Sequence, residues 1–551
     1  MSTAAANNSG LTEEQIQVSK LLKFARQYCS QHNYRAAIDA IQAGLALARG
    51  DECHRAPDEI LAQLYATLAN AWMALGQAEV ASVNYKAALR LSPRLAGCWC
   101  NLGAAYMQQG KADAAVAYFL QAIELSPGHW PSRTNLVQAL IATRQYPIAK
   151  TLLLELMDER PEDGQLHHDL GRACFELNER EQALCHFREA SVLDPKNVES
   201  LYWIGALSQS VGDMVAAQSA YRYAAEIQPL IRRPAVKTPA EFKVLALYSP
   251  FGGNTPTQYL FAEANYETDT LSLLPSTDID TLSLGCDYGV VVNLISDADQ
   301  ATDVLVAANS LVGRLGSSII NHPRSVLRTT RDVASQMFSG IPACRVPKTF
   351  RLKGNGDLSS SLPQIMSGLS FPVLVRPAGT HGGDRFEKVG DIVTLAGLIE
   401  ERSELDHYLI DYIDYRSIDG YFRKYRFVFV AGEIFPYHLA IGTDWKLHRD
   451  SCDMRDQSWM REEEAVFLSR PGRFFKDHHL EALKTIGDRI GLEYCGVDCG
   501  LDALGNLVVF EVNASVLVHG EEGELAYKDP FARRIREAFD AMLARHAAAR
   551  I

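Results

Sequence analysis

Five prolines, Pro93, Pro127, Pro161, Pro195 and Pro229, stand 34 residues apart. Ala81, Ala115, Ala149, Ala183 and Ala217 keep the same period, each twelve residues before a proline. Four residues after each alanine comes a large apolar side chain: Tyr85, Phe119, Leu153, Phe187 and Tyr221. Leu68, Leu102, Leu136, Leu170 and Ile204 occupy the earlier half of each unit, and Gly103, Gly171 and Gly205 follow three of them. Five coincident columns do not arise by chance. A fixed period of this length means one supersecondary unit that buries its apolar face only by stacking on copies of itself.

These columns resemble the tetratricopeptide repeat (TPR), which implies two antiparallel helices per unit with small residues where they cross. Five units match in register from Ala62 to Ile231, and Asn33, Tyr34 and Ala37 mark a degenerate unit before them. The segment "GDECHRAPDE" separates that unit from the rest. The resemblance implies a concave groove that takes a peptide or protein partner. Asn70 and Asn101 fall where some TPR domains grip a C-terminal carboxylate, but Ala66 and Pro131 stand in two of the basic positions. Both asparagines are therefore expected to bond backbone or water.

With 551 residues the chain is too long for one core and suggests three to four structural units. Its formal net charge of −13 lacks the basic footprint of a protein whose main partner is nucleic acid. Eleven cysteines occur without a repeating metal spacing, which reads as buried free thiols in a reducing compartment. The start "MSTAAANNSG" has neither a basic nor an apolar segment of signal-peptide type, and no apolar run is long enough to span a membrane. The expected location is cytoplasmic, with residues 1–15 a disordered tail and 16–231 the repeats.

Residues 232–241, within "QPLIRRPAVKTPAEF", read as an exit linker. The pattern then changes. "KVLALY", "YGVVVNLIS" and "SSIINHP" are short strand-like runs, with a helix between Asp297 and Gly316, so 242–340 reads as a parallel α/β domain. The glycines after Phe251 lack phosphate-loop spacing and read as a turn. From 341 to 551 the strands "FPVLVRP", "RFEKV", "HYLIDYIDYRS" and "YRFVFVAGEIFPYHLAI" suggest an antiparallel α+β domain. Its last strands form a hairpin, "YCGVDCGLD" and "LVVFEVN" around "ALGN".

That hairpin places Asp498, Glu511 and Asn513 among apolar neighbours, where an unpaired charge costs several kcal/mol. Residues alternate faces along a strand, so Glu511 and Asn513 point the same way and Asp498 can face them. A metal ion is the first candidate partner, because two carboxylates and an amide supply hard oxygen donors.

A basic strand, a glycine loop, an acidic strand end, an arginine strand and an Asp…Glu-x-Asn hairpin follow in that order. The constellation resembles the ATP-grasp superfamily of carboxylate–amine ligases, over about Ile319 to Val516. The resemblance implies ATP and Mg²⁺, with Mn²⁺ as the alternative ion, held by Asp498, Glu511 and Asn513. It further implies that Arg376, where lysine is usual, reaches phosphate, that Gly382 and Gly383 close over phosphates, and that Asp411, Tyr412 and Ile413 hold the adenine edge. Arg426 would touch the transferred phosphate or the acyl phosphate, with Lys424 two residues away on the same strand face as a second catalytic cation, and Arg331 would contact the α-phosphate. Trp445, Lys446 and His448 lie in a loop able to cover the acceptor.

The chain thus reads as multidomain: an all-α TPR solenoid, an α/β leading domain and an α+β ATP-grasp domain. The expected activity is an ADP-forming ligase that activates a carboxylate as an acyl phosphate and joins it to an amine, with a peptide or protein partner in the groove. Two alternatives stay open at this point, a scaffold with a sensing or inactive nucleotide site and an ATP-dependent phosphotransferase.

Overall fold

The computed structural model describes residues 13–48, 56–275, 279, 284, 287–316, 318–380, 383–447, 454 and 456–549. The chain divides into two compact units, Met1–Asp213 and Met214–Ile551. The division falls inside the last repeat and not at the proline-rich stretch.

In the first unit, helices run in antiparallel pairs. The first pair is Glu13–Ser30 with Tyr34–Leu47, and the second Asp58–Ala74 with Ala78–Leu91. Helices Ala96–Gln108 and Ala112–Leu125, then Trp130–Ala142 and Tyr146–Glu159, then Gly164–Glu176 and Arg180–Leu193 continue the series to Val198–Ser210. The first helix already begins at Glu13, inside the span read as a tail; residues 1–12 lie outside the described residues. Side-chain volume explains the glycine column. A Cβ at Gly103 would lie 2.6 Å from the Phe119 ring, and one at Gly171 would lie 2.9 Å from Phe187. In the register where the large residue is Leu153, the glycine column holds Val137. Total volume at the crossing is conserved, as close-packed interiors require.

Asn70 and Asn101 bond to side chains. The Tyr85 hydroxyl donates to Asn70 Oδ1 at 2.6 Å, and Asn101 Nδ2 donates to the same oxygen at 3.0 Å. The buried tyrosine has to place its hydroxyl somewhere, and the neighbouring helix supplies the acceptor.

The second unit holds three sheets. The first has the order β1-β3-β2-β4-β5, from β1 (Leu230–Arg233), β2 (Lys243–Tyr248), β3 (Glu267–Ser272), β4 (Val290–Asn293) and β5 (Ile319–Ile320). All neighbours are parallel except the β1–β3 pair. Two of its strands depart from the sequence reading. β1 lies in the stretch read as linker, and β3 is a polar run. Asp269 on β3 is buried, and it accepts from Arg232 of β1 at 3.0 Å and from the Tyr288 hydroxyl at 2.8 Å. Pairing across the strands is what admits an aspartate to this interior.

The remaining strands are β6 (Cys344–Arg345), β7 (Thr349–Leu352), β8 (Val373–Pro377), β9 (Glu387–Val389), β10 (His407–Asp411), β11 (Phe422–Val430), β12 (Glu433–Gly442), β13 (Tyr494–Leu501) and β14 (Leu507–Asn513). They form an antiparallel lobe, β7-β10-β8-β9, and a larger sheet, β12-β11-β13-β14-β6. The lobe has its own core of Leu352, Val373, Val375, Leu395 and Leu409. The larger sheet instead shares its core with the parallel sheet. Val244 and Val292 pack in one cluster with Val428, Tyr494 and, from the last helix (Asp529–Ala548), Phe539. Residues 242–340 are therefore not a separately cored domain.

Candidate functional site

From Lys424 onward, strand β11 reads Lys-Tyr-Arg-Phe-Val-Phe-Val. Alternation sends Tyr425, Phe427 and Phe429 into one core and leaves Lys424 and Arg426 on the opposite face. A run of lateral pairs then crosses four strands. In register, His438 of β12 stands beside Arg426 of β11, Arg426 beside Asp498 of β13, and Asp498 beside Glu511 of β14. Two β-bulges create this row. One shifts β12 by a residue between Arg426 and Phe427, the other shifts β14 between Asp498 and Cys499. Without the second, Asp498 would stand beside Phe510. Bulges re-aim side chains in this way.

Two carboxylates directly opposite each other repel, and here each is held by an arginine. Arg426 Nε and Nη2 donate to the two oxygens of Asp498 at 2.6 and 2.8 Å. Lys424 Nζ lies 3.7 Å from Asp498 Oδ2 and donates to the Leu447 carbonyl at 3.0 Å. Arg331 Nη2 lies 2.9 Å from Glu511 Oε1. Burial would raise the Asp498 carboxyl, but Arg426 and Lys424 outweigh it and hold the group well below the ordinary carboxylate range. Asn513 Nδ2 is 3.5 Å from Glu511 Oε1, and Asn513 Oδ1 accepts from the Ser515 backbone at 2.8 Å. Among the described residues no three His, Cys, Asp or Glu side chains cluster as a metal site. The set here is two carboxylates and an amide.

The lobe brings further cations. Arg376 of β8 is buried and curls back on Thr380, donating to its Oγ1 from Nε at 3.1 Å and also to its carbonyl. Burial, then Arg331, bring the guanidinium down to about 10 against the opposing pull of Glu511, so it stays cationic at neutral pH. Gly382 lies outside the described residues. Gly383 has φ of +78°, and a Cβ there would meet Lys446 Cε at 3.1 Å. Asp411 donates its backbone N–H to the Lys348 carbonyl at 2.8 Å. The Tyr412 ring lies 4.4 Å from the Lys388 ammonium and 6.1 Å from the Trp445 ring. Ile413 is buried with Tyr415 and Phe422. His448 lies outside the described residues. Arg351 and the Tyr408 hydroxyl, both from the lobe, donate to Asp299 in the loop after β4 at 2.9 and 2.8 Å, which ties the lobe to the parallel sheet.

Sequence reasoning missed the far end of the row. His438 Nδ1 lies 2.6 Å from Glu464 Oε1, on the helix Ser458–Ser469. Glu464 is fully buried and takes further bonds from the Leu439 N–H at 2.9 Å, the Tyr527 hydroxyl, and Lys528 Nζ at 3.3 Å. Burial alone would raise this carboxyl, but His438 and Lys528 bring it down to about 2. A hairpin count from the Ala431–Gly432 turn puts Tyr437, not His438, beside Arg426. Only the bulge brings the histidine there.

A family model described as tetratricopeptide repeat matches residues 96–129, and a second, described as TPR repeat, matches residues 69–110. The chain carries these repeats. Among curated proteins it is similar to N-acetylaspartylglutamate synthase A of Homo sapiens, 23% identical over 213 residues, covering 37% of this chain and 48% of that protein. The Mus musculus counterpart is 22% identical over 234 residues, 41% of this chain and 55% of that protein. The chain spans about half the length of the curated relatives it matches. Solved structures similar to it include MamA 41-end from Desulfovibrio magneticus RS-1, at 22% identity and TM-score 0.29 over 30% of this chain and 94% of that one. Pseudomonas aeruginosa pilF is similar at 16% identity and TM-score 0.33, over 39% of this chain and 94% of that one. No helix among the described residues is long and apolar enough to cross a membrane.

Proposed function

We propose that this chain is an ATP-dependent ligase of the ATP-grasp kind, joining a carboxylate to an amine with release of ADP and phosphate. The observation that carries the reading is the row Arg426–Asp498–Glu511–Arg331, with Asn513 beside it. Cations flank the paired hard oxygen donors of one sheet face, and the lobe adds Arg376. Asp498, Glu511 and Asn513 fit a small divalent cation by donor type, since Mg²⁺ takes oxygen ligands and few from protein. Mn²⁺ accepts the same donors. When bound, the ion neutralises phosphate charge. Arg426, Lys424, Arg376 and Arg331 supply fixed positive charge for the triphosphate and for the carboxylate being phosphorylated. The segment Asp411–Ile413 and the Tyr412–Trp445 pair offer a backbone edge and ring faces for adenine. The TPR groove takes a peptide or protein, either as substrate or as partner.

The similarity to N-acetylaspartylglutamate synthase A supports a ligase and suggests acidic amino acids as first substrates to try. ADP formation from Mg-ATP is expected to require both a carboxylate and an amine. A coupled assay with N-acetyl-L-aspartate and L-glutamate, then with other amino acids and short peptides, reads this directly. ADP formed at the same rate without any amine or carboxylate speaks for the sensing scaffold instead.

A further inference from the structure

The polar row ends in a histidine arranged as a base. His438 Nδ1 lies 2.6 Å from Glu464 Oε1 and 3.1 Å from Lys528 Nζ; an ionised carboxylate only accepts, so the shorter contact favours the tautomer with its proton on Nδ1. The carboxylate is immobilised by the Leu439 N–H, the Tyr527 hydroxyl and Lys528. The His438 side chain keeps 26% exposure while Glu464 keeps 1%. One strand away stands Arg426, and beyond it Asp498. A buried carboxylate behind one ring nitrogen, in a histidine that stands in register beside a cationic site, is an arrangement suited to proton transfer.

We propose that His438 Nε2 accepts the proton of the attacking amine, an assignment that rests on the ligase reading above. In that step the amine nitrogen bonds to the acyl carbon and the carbon–oxygen bond to phosphate breaks. Phosphate leaves with the electron pair, and the amine proton passes to Nε2. Glu464 and Lys528 face the ring from the two segments packed on it, Arg426 faces it from β11 with Asp498 beyond, and Tyr437 adjoins it on β12. Burial, then Lys528, lowers the imidazole below its ordinary value, and Glu464 opposes them. The ring is neutral at physiological pH and able to take a proton.

Hydroxylamine tests this, because it is a weakly basic nucleophile that opens acyl phosphates without help from a base. The full chain is given Mg-ATP and N-acetyl-L-aspartate, with either L-glutamate or hydroxylamine. His438→Asn keeps an N–H able to reach Glu464, and His438→Gln serves as a second variant. Both are expected to form hydroxamate at the wild-type rate and to bind a fluorescent ATP analogue unchanged. Amide formation should fall about 100-fold or more. Variants that keep amide formation, or lose hydroxamate and amide alike, overturn the assignment. Wild-type chain that forms neither product overturns the ligase reading for this substrate class, and the assignment with it.

Discussion

Glu511→Gln is expected to abolish most ATP turnover while leaving the fold in place. Glu511 is half-buried and meets Arg331 at 2.9 Å. Glutamine keeps an oxygen for that arginine, so packing changes little. The variant removes one negative charge from the three-residue oxygen set proposed for the divalent ion. Several kcal/mol of charge stabilisation depend on such an ion, which corresponds to a loss of about 100-fold or more in rate. ADP release measured beside circular dichroism checks both halves. Full turnover in a folded Glu511→Gln chain removes the metal assignment.

The second large effect is on stability. Asp498→Asn leaves the Arg426 guanidinium beside a neutral amide in a mostly buried row. Removing one partner of a buried pair costs about 3–5 kcal/mol, whereas removing both costs less. Chemical denaturation is expected to show the double variant Arg426→Gln, Asp498→Asn losing less than the sum of the single variants. Additive losses would mean that the pair is not coupled. The pH dependence follows from the direction of the shift. Burial works to raise the Asp498 carboxyl and the two cations lower it further than burial raises it, so the folded value lies below the unfolded one. The pair's stabilisation is therefore present above the unfolded carboxylate value of about 3.9 and is lost as pH falls toward the folded value. Wild-type chain should lose stability below about pH 4 more steeply than Asp498→Asn.

The repeats were legible because every column is local. Proline, alanine and aromatic positions report helix ends and crossings inside one unit, and stacking multiplies the same message. Strands β2, β4 and β8 were legible as apolar runs, and β13–β14 as a hairpin. What escaped the sequence was decided by pairing across the fold. β3 reads as polar because its aspartate is neutralised by Arg232, which comes from a segment rich in proline and read as linker. His438 joins the site through a bulge, and no periodicity announces a bulge at that position. Glu464 sits in a helix of ordinary composition, and its importance comes only from His438, Tyr527 and Lys528 closing around it. The buried Asp498 and Glu511 were expected to answer to a metal ion, and the structure answers them with Arg426 and Arg331.

The most direct test of the ligase reading follows an oxygen atom. The carboxylate substrate is labelled with ¹⁸O in both oxygens and turned over with unlabelled Mg-ATP and amine in ordinary water. If the carboxylate is activated as an acyl phosphate, one labelled oxygen leaves with the phosphate, and mass spectrometry of the released phosphate finds it. Phosphate without label, formed while ADP accumulates, would contradict the account.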